Sequence, residues 1–226
     1  RFKSLGTLHN LSLSKDNEAR MGSASLGLVE TLMTIVEEFG VCVDASIPAS
    51  ESGQEVEEMA IMAASSNKVG DGSVDLRAKA LGVLWNLAAN SDNQLRMGSE
   101  ELGLVPLLVR VVSEAEASES RSKALGVLRN LSMHKSNKSR MGSVEVGLVE
   151  GLVSLVDREC VSGGSWEGMD HALGVLQNLS SCNDNKSRMG SAEVGLLESL
   201  LRVLREDEQS QETKARCVGI LWNLSI

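Results

Sequence analysis

The chain has 226 residues, of which 42% are hydrophobic but only 2% are aromatic, and its formal net charge is −9. This charge argues against a general nucleic-acid or membrane-surface binder, because such proteins need a basic surface that displaces counterions. The four Cys residues form no Cys-x-x-Cys pair and have no nearby His pairs, which indicates a reducing compartment and excludes a zinc site or a disulfide framework. We therefore expect an intracellular protein, cytoplasmic, nuclear or both, without a membrane-inserted segment.

One sequence pattern recurs along the chain. Four copies have a segment that ends in Asn-Leu-Ser or Asn-Leu-Ala, a short polar break, an Asn-x-x-Arg-Met-Gly segment and a Gly-Leu segment, and a fifth copy has only the segment that ends in Asn-Leu-Ser. The marker asparagines of the Asn-Leu pairs are Asn10, Asn86, Asn130, Asn178 and Asn223, and they are separated by 76, 44, 48 and 45 residues. A period in the mid-forties with helical patterning is typical of an armadillo or HEAT solenoid, so the sequence predicts an all-α fold with three helices per repeat.

Taken in order, the chain begins with the last helix of a truncated repeat, over residues 1–13. Four repeats follow, over 14–89, 90–133, 134–181 and 182–226. The first of them contains an insertion over 40–75 that carries −6 of the net charge. We expect a monomeric fragment of a longer array, with further repeats or domains at both ends.

Each complete repeat is predicted to begin with a short helix. Asn17, Asn93, Asn137 and Asn185 are its expected N-caps, and Gly27, Gly103, Gly147 and Gly195 are expected to end it with a tight turn. An Arg stands at one place in every unit (Arg20, Arg96, Arg140 and Arg188), which predicts a tie to helix C-terminal carbonyls or to a carboxylate of the adjacent unit. A second helix follows the glycine at once, and an acidic loop leads to a third helix that ends at Asn-Leu-Ser.

A helical wheel of the third helix separates two faces. The Leu residues two before and one after the marker Asn, and the small or apolar residues five and six before it, form the core arc. Opposite lie the Asn itself, the residue four before it and the residue seven before it. The fourth-before residue is Gly in all five copies, and the seventh-before residue is basic or His, which predicts a basic stripe.

These positions define a candidate peptide-binding groove with two open interpretations. An interior Gly costs a helix ~1 kcal/mol relative to Ala, so the glycines require the close approach of either a neighbouring helix or a ligand backbone. The asparagines either make inter-helix hydrogen bonds or pair with an extended peptide, and the variable residue before each Asn is either a partner contact or an exposed flank. The candidate residues are Lys3, Asn10, Lys79, Gly82, Trp85, Asn86, Lys123, Gly126, Arg129, Asn130, His171, Gly174, Gln177, Asn178, Arg216, Gly219, Trp222 and Asn223.

The segments Leu5-Gly-Thr-Leu-His-Asn-Leu-Ser12, Leu84-Trp-Asn-Leu-Ala88 and Gln177 to Arg188 resemble armadillo repeats, most closely those of β-catenin, the plakophilins and the adenomatous polyposis coli protein. The resemblance implies a right-handed superhelix whose third helices line a concave groove for extended partner segments. Catenin-like grooves are basic, which implies acidic or phosphorylated partners. Importin-α typically has Trp where this chain has Gly, so the resemblance disfavours a nuclear-import receptor.

The sequence offers no enzyme, cofactor or metal motif, because His9 and His134 have no Cys or acidic partner at catalytic or metal spacing and no Gly-rich phosphate loop is present. The Asn-Leu-Ser triplets match the N-glycosylation pattern, but a sugar in mid-helix would break the stack, so we interpret them as by-products of the repeat. We therefore expect a protein-interaction scaffold. The alternatives are a purely structural solenoid within a larger assembly and, more distantly, a nucleic-acid-binding helical repeat.

Overall fold

The computed structural model describes residues 2–39, 72–114, 118–161 and 167–225. Most of the acidic insertion predicted over 40–75 lies outside the described residues, as does the side chain of Lys3. Within the described ranges every regular element is a helix, which confirms the predicted all-α class.

Thirteen α-helices follow one another in the described part of the chain. Their bounds are α1 Phe2–Ser12, α2 Lys15–Met21, α3 Leu28–Glu38, α4 Gly72–Leu87, α5 Ser91–Met97, α6 Leu104–Ser113, α7 Ser118–Leu131, α8 Lys135–Met141, α9 Leu148–Val161, α10 Glu167–Ser180, α11 Asn183–Met189, α12 Leu196–Arg205 and α13 Gln211–Ser225. We call α2, α5, α8 and α11 the first helices, α3, α6, α9 and α12 the second helices, and α1, α4, α7, α10 and α13 the third helices.

The prediction that Asn17, Asn93, Asn137 and Asn185 cap the first helices is wrong. The caps lie three residues earlier, at Ser14, Asn90, His134 and Cys182. The predicted asparagines lie inside the first turn, and their side chains turn back into the stack instead of capping their own helix. Asn137, for example, is buried and donates from its Nδ2 to the carbonyl oxygens of Leu131 and Gln94, at 2.9 Å each.

The predicted tight turns are present, but they do not end the first helices. Those helices end six residues earlier, at Met21, Met97, Met141 and Met189. Gly27, Gly103, Gly147 and Gly195 have φ angles of 65 to 70° and lead directly into the second helices. Glycine suits this left-handed backbone because it has no Cβ to clash.

The predicted core arc is confirmed for the interior third helices α4, α7 and α10, whereas Leu11 of α1 and Val218 of α13 are 47% and 55% exposed. In α4, Ala80, Leu81, Leu84 and Leu87 are fully buried. The equivalent residues of α7 and α10 are buried in the same way. They join the second helices in one apolar cluster that continues from repeat to repeat, so each unit covers the apolar face of its neighbour.

Two of the four repeated arginines, Arg96 and Arg188, tie successive repeats as predicted. Arg96 donates to the carbonyl oxygen of Gly22 at 2.7 Å and pairs with Glu30. Arg188 makes the equivalent bonds two repeats later, to the carbonyl of Gly142 at 2.7 Å and to Glu150. These contacts fix the register of one repeat on the previous one.

Candidate functional site

The candidate site is the face of the third helices that lies opposite their core arc. Each third helix packs directly against the next, from α1 to α4, α7, α10 and α13. The marker asparagines and their flanking residues therefore form rows that cross five successive helices. We call this surface the third-helix face.

The amide nitrogens of the marker asparagines bind the preceding third helix. Asn130 donates to the Trp85 carbonyl at 3.2 Å. Asn178 donates to the Arg129 carbonyl at 3.3 Å and to the Ser132 hydroxyl at 2.9 Å. Asn223 repeats this arrangement on α10, and Asn86 binds a serine hydroxyl of α1 at 2.9 Å. The inter-helix interpretation of the asparagines is therefore correct for the donor side of the amide.

The serines of three Asn-Leu-Ser triplets, Ser12, Ser132 and Ser180, complete this bond. Ser132 is fully buried, donates to the Arg129 carbonyl at 2.7 Å and accepts from Asn178. Ser12 and Ser180 occupy the same place in their helices. The triplet thus has a packing role in the stack, which supplies the physical reason for its recurrence.

The acceptor side of these amides is not used within the stack. In the described ranges, the Oδ1 atoms of Asn86, Asn130, Asn178 and Asn223 accept no hydrogen bond. Their side chains are half-buried, so the oxygens border solvent. The third-helix face therefore carries a row of hydrogen-bond acceptors, one for each helix.

The glycines four residues before the marker Asn face side chains of the preceding third helix. A Cβ on Gly126 would lie 2.6 Å from Trp85 Cε2, and one on Gly174 would lie 2.9 Å from Arg129 Nε. Gln177 covers Gly219 in the same manner at 2.5 Å, and His9 approaches Gly82 at 3.4 Å. In each pair the covering side chain comes from the variable position just before the preceding marker Asn. These contacts favour neighbour packing as the reason for the glycines.

The predicted basic stripe is paired with carboxylates, which the sequence analysis missed. Lys123 Nζ lies 2.6 Å from Glu119 Oε1, and Arg216 binds both Asp170 and Glu212. Glu119 and Glu212 stand four residues before their cations, a helical spacing that could have been found from the sequence. The stripe is consequently less positive than its basic residues alone suggest.

The centre of the face carries a cluster of rings and charges. The Trp85 and His171 rings meet edge to face, with centroids 5.0 Å apart. Arg129 Nη1 lies 3.4 Å from His171 Nδ1 and 3.2 Å from Asp170 Oδ2. Lys79 is likewise engaged in an interaction.

The two ends of the array present the most exposed residues of the candidate set. Trp222 on α13 is 68% exposed, and Asn10 on α1 is also exposed. The other candidate residues with described side chains are half-buried, apart from the interior glycines Gly82, Gly126 and Gly174, which are buried. The described members of the predicted set therefore lie together on the third-helix face.

The described residues show neither a metal centre nor a membrane span. No group of three or more His, Cys, Asp and Glu side chains among them could hold a metal ion. None of their helices is both long and apolar enough to cross a bilayer.

Residues 49–226 match the family model described as the plant U-box protein ARM repeat region. The chain belongs to this ARM repeat family. The predicted armadillo fold is thereby confirmed, and the match covers four of the five third helices. ARM repeats form a non-catalytic scaffold that generally mediates protein interactions.

Solved structures agree with the ARM repeat fold. Two are crystal structures of engineered proteins from the Northeast Structural Genomics Consortium. The first is 18% identical with a TM-score of 0.60, over 99% of this chain and 89% of that chain. The second is 19% identical with a TM-score of 0.60, over 99% of this chain and 54% of that chain. At these identities the likeness concerns the fold alone. No curated protein sequence matches the chain.

Proposed function

We propose that the chain is a protein-interaction scaffold that holds an extended segment of a partner protein on the third-helix face. The observation that carries this proposal is the row of unused Oδ1 acceptors on Asn86, Asn130, Asn178 and Asn223. An extended peptide has backbone N–H groups that lack internal partners, and such groups seek acceptors. Since the stack already fixes each amide through its nitrogen, binding costs little side-chain entropy.

The partner segment is acidic or phosphorylated in this proposal. Lys123, Arg129 and Arg216 border the acceptor row, and their charges suit such a segment. The carboxylates of Glu119 and Glu212 are mostly exposed, and exposed ion pairs contribute only ~0–1 kcal/mol. A partner carboxylate can therefore replace them at low cost.

The remaining parts of the proposal concern the whole protein. We propose an intracellular, monomeric, non-enzymatic scaffold without cofactors or nucleic-acid partners, built of repeats over 14–89, 90–133, 134–181 and 182–226 with further repeats or domains at both ends. The second candidate is a purely structural solenoid. It is favoured by the amide nitrogens of Asn86, Asn130, Asn178 and Asn223, which join neighbouring helices.

The experiment compares two alanine substitutions in a capture assay. The immobilised chain is incubated with nuclease-treated and untreated lysate, and the retained proteins are quantified by mass spectrometry. Asn130→Ala removes one inter-helix bond together with an unused acceptor. Its matched control, Asn185→Ala, removes a partly buried bond at 2.9 Å and a buried bond at 3.0 Å, away from the third-helix face.

We expect Asn130→Ala to lower partner retention about fivefold, since one hydrogen bond contributes ~1 kcal/mol. Asn185→Ala should destabilise the array at least as much and still retain the partner. Equal losses in the two variants would trace binding to array stability and refute the groove. Retention that disappears with nuclease would instead indicate a nucleic-acid-binding repeat.

A further inference from the structure

The third-helix face holds one carboxylate between two guanidinium groups. Asp170 lies eight residues before its marker Asn. The other repeats carry no carboxylate at this position, where they have Phe2, Ala78, Ser122 and Ala215. The repeat pattern therefore does not require an anion there.

Both oxygens of Asp170 are bound by arginines from the two flanking helices. Arg129 on α7 approaches Oδ2 at 3.2 Å through its Nη1. Arg216 on α13 approaches Oδ2 at 3.2 Å through its Nη2 and binds Oδ1 through its Nε. The side chains of Arg129, Asp170 and Arg216 are 31%, 35% and 17% exposed, so a solute can reach the cluster.

Two further groups border the arginines. The His171 ring lies beside Arg129 and against Trp85. Glu212 pairs with Arg216 at 3.1 Å, but its side chain is 73% exposed. A pair of this kind on one helix is weak, so Glu212 can turn into solvent when another anion arrives.

We propose that Arg129 and Arg216 form a phosphate-binding site, that Asp170 occupies it in the free protein, and that a phosphorylated residue of the partner segment displaces Asp170. This inference rests on the proposed function, and it selects phosphorylated over merely acidic partners. Two guanidinium groups from different helices suit a phosphate, which accepts bidentate hydrogen bonds from arginine.

The preference for a phosphate over a carboxylate arises because Asp170 already offers a carboxylate to the two arginines. A partner carboxylate would exchange with an equivalent carboxylate and gain no hydrogen bond, while Asp170 has the advantage of being tethered at high effective concentration. A phosphate group carries a charge of about −1.5 to −2 at pH 7 and three strong acceptor oxygens. It therefore gains both charge and hydrogen bonds over the carboxylate that it replaces.

The test uses small anions, so it requires no knowledge of the partner. Inorganic phosphate or acetate is titrated into ¹⁵N-labelled protein at constant ionic strength and pH 7.5, and the Nε–H resonances of Arg129 and Arg216 are followed. In the wild-type protein we expect a saturable shift with phosphate and none with acetate. In Asp170→Asn we expect phosphate affinity to rise on the order of tenfold and acetate to bind as well.

Asp92→Asn is the matched control, because it removes the same charge from an exposed position on α5. It should leave both titrations unchanged. The proposal is overturned if Asp170→Asn binds phosphate no better than the wild type, or if wild-type protein binds acetate as well as phosphate.

A second variant keeps the test decisive if Asp170→Asn does not fold. Arg129→Gln leaves the bonds between Asp170 and Arg216 in place and should abolish the phosphate-dependent shift of Arg216. An unchanged shift would overturn the two-arginine site. The outcome is separate from that of the Asn130→Ala experiment, since the anion titration does not depend on the acceptor row.

Discussion

A single methyl group at Gly98 should disrupt the contact between two repeats. Gly98 follows α5, and its φ of −85° is open to any residue. A Cβ built there would lie within 2.6 Å of all three amide heavy atoms of Asn137, which belongs to the next repeat. The Asn137 amide is buried and holds two carbonyl oxygens at 2.9 Å. Gly98→Ala must therefore push this amide out of its hydrogen bonds.

The magnitude follows from these contacts. Two hydrogen bonds lost at ~1 kcal/mol each, together with overpacking of ~1–3 kcal/mol, are offset by a gain of ~0.5–1 kcal/mol from replacing glycine. The net loss in the free energy of unfolding is about 2–4.5 kcal/mol. For a chain of this size we expect Tm to fall by roughly 5–15 °C.

Thermal and urea unfolding followed by far-UV circular dichroism measure this loss. Gly151→Ala is the matched control, because a Cβ on this exposed residue of α9 meets nothing within 4 Å. It should stabilise the chain by ~0.5–1 kcal/mol. Combining Gly98→Ala with Asn137→Ala removes the clash, so the double variant should lose less than the sum of the single losses. Strict additivity, or a Gly98→Ala variant as stable as the wild type, would refute the reasoning.

Three further predictions use other parts of the molecule. Gly126→Leu should destabilise the array by ~1–3 kcal/mol, because the new side chain collides with the tryptophan of the preceding third helix. An unchanged Tm would show that the third-helix face has free space beside Gly126. Lys79→Glu combined with Lys123→Glu should abolish binding of an acidic partner at ~0.15 M salt without changing the helical circular dichroism signal. The control Lys135→Glu on α8 should leave that binding intact. Binding that survives the double substitution would contradict the basic stripe. Burial raises the pKa of the Cys217 thiol to about 12. The folded chain therefore keeps a proton that the unfolded chain releases from about pH 9. Because the unfolded state then binds fewer protons, stability should fall as pH rises above about 9. Thermal unfolding at pH 7.5 and 10 should show a smaller decrease for Cys217→Ala than for the wild type, and equal decreases would exclude this thiol as the cause.

The helical stack was accessible from the sequence because it depends on local periodicity. The marker asparagines recur at a nearly constant step, and Leu84 and Leu87 are placed on the core arc by helical geometry alone. Arg96 could likewise be assigned to an inter-repeat tie, because a fixed position in every unit points to a structural partner. These inferences need only the spacing within one unit.

The errors concern contacts between units. Asn137 resembles an N-cap in sequence, but its partners lie in the preceding helix and in the preceding repeat, and one of them is 43 residues away. The cover of Gly126 by Trp85 depends on how two helices are offset when they stack, which no pattern within one helix reveals. The pair of Glu119 and Lys123 is different, because the two residues stand one turn apart on the same helix and helical spacing alone predicts their contact.

The asparagine bonds between repeats all run in one direction. Asn93 donates to the Glu18 carbonyl, Asn130 to that of Trp85 and Asn178 to that of Arg129, so the donor always belongs to the later unit. During translation, the acceptor carbonyls of the earlier unit leave the ribosome before the donor asparagines of the later unit. Each folded unit therefore presents carbonyl oxygens that the asparagines of the next unit can bind as soon as that unit is synthesised. The array can consequently fold unit by unit, from the N-terminus towards the C-terminus, during synthesis. Two identical ends placed face to face would not reproduce these asparagine bonds, because both would present the same half of each donor–acceptor pair.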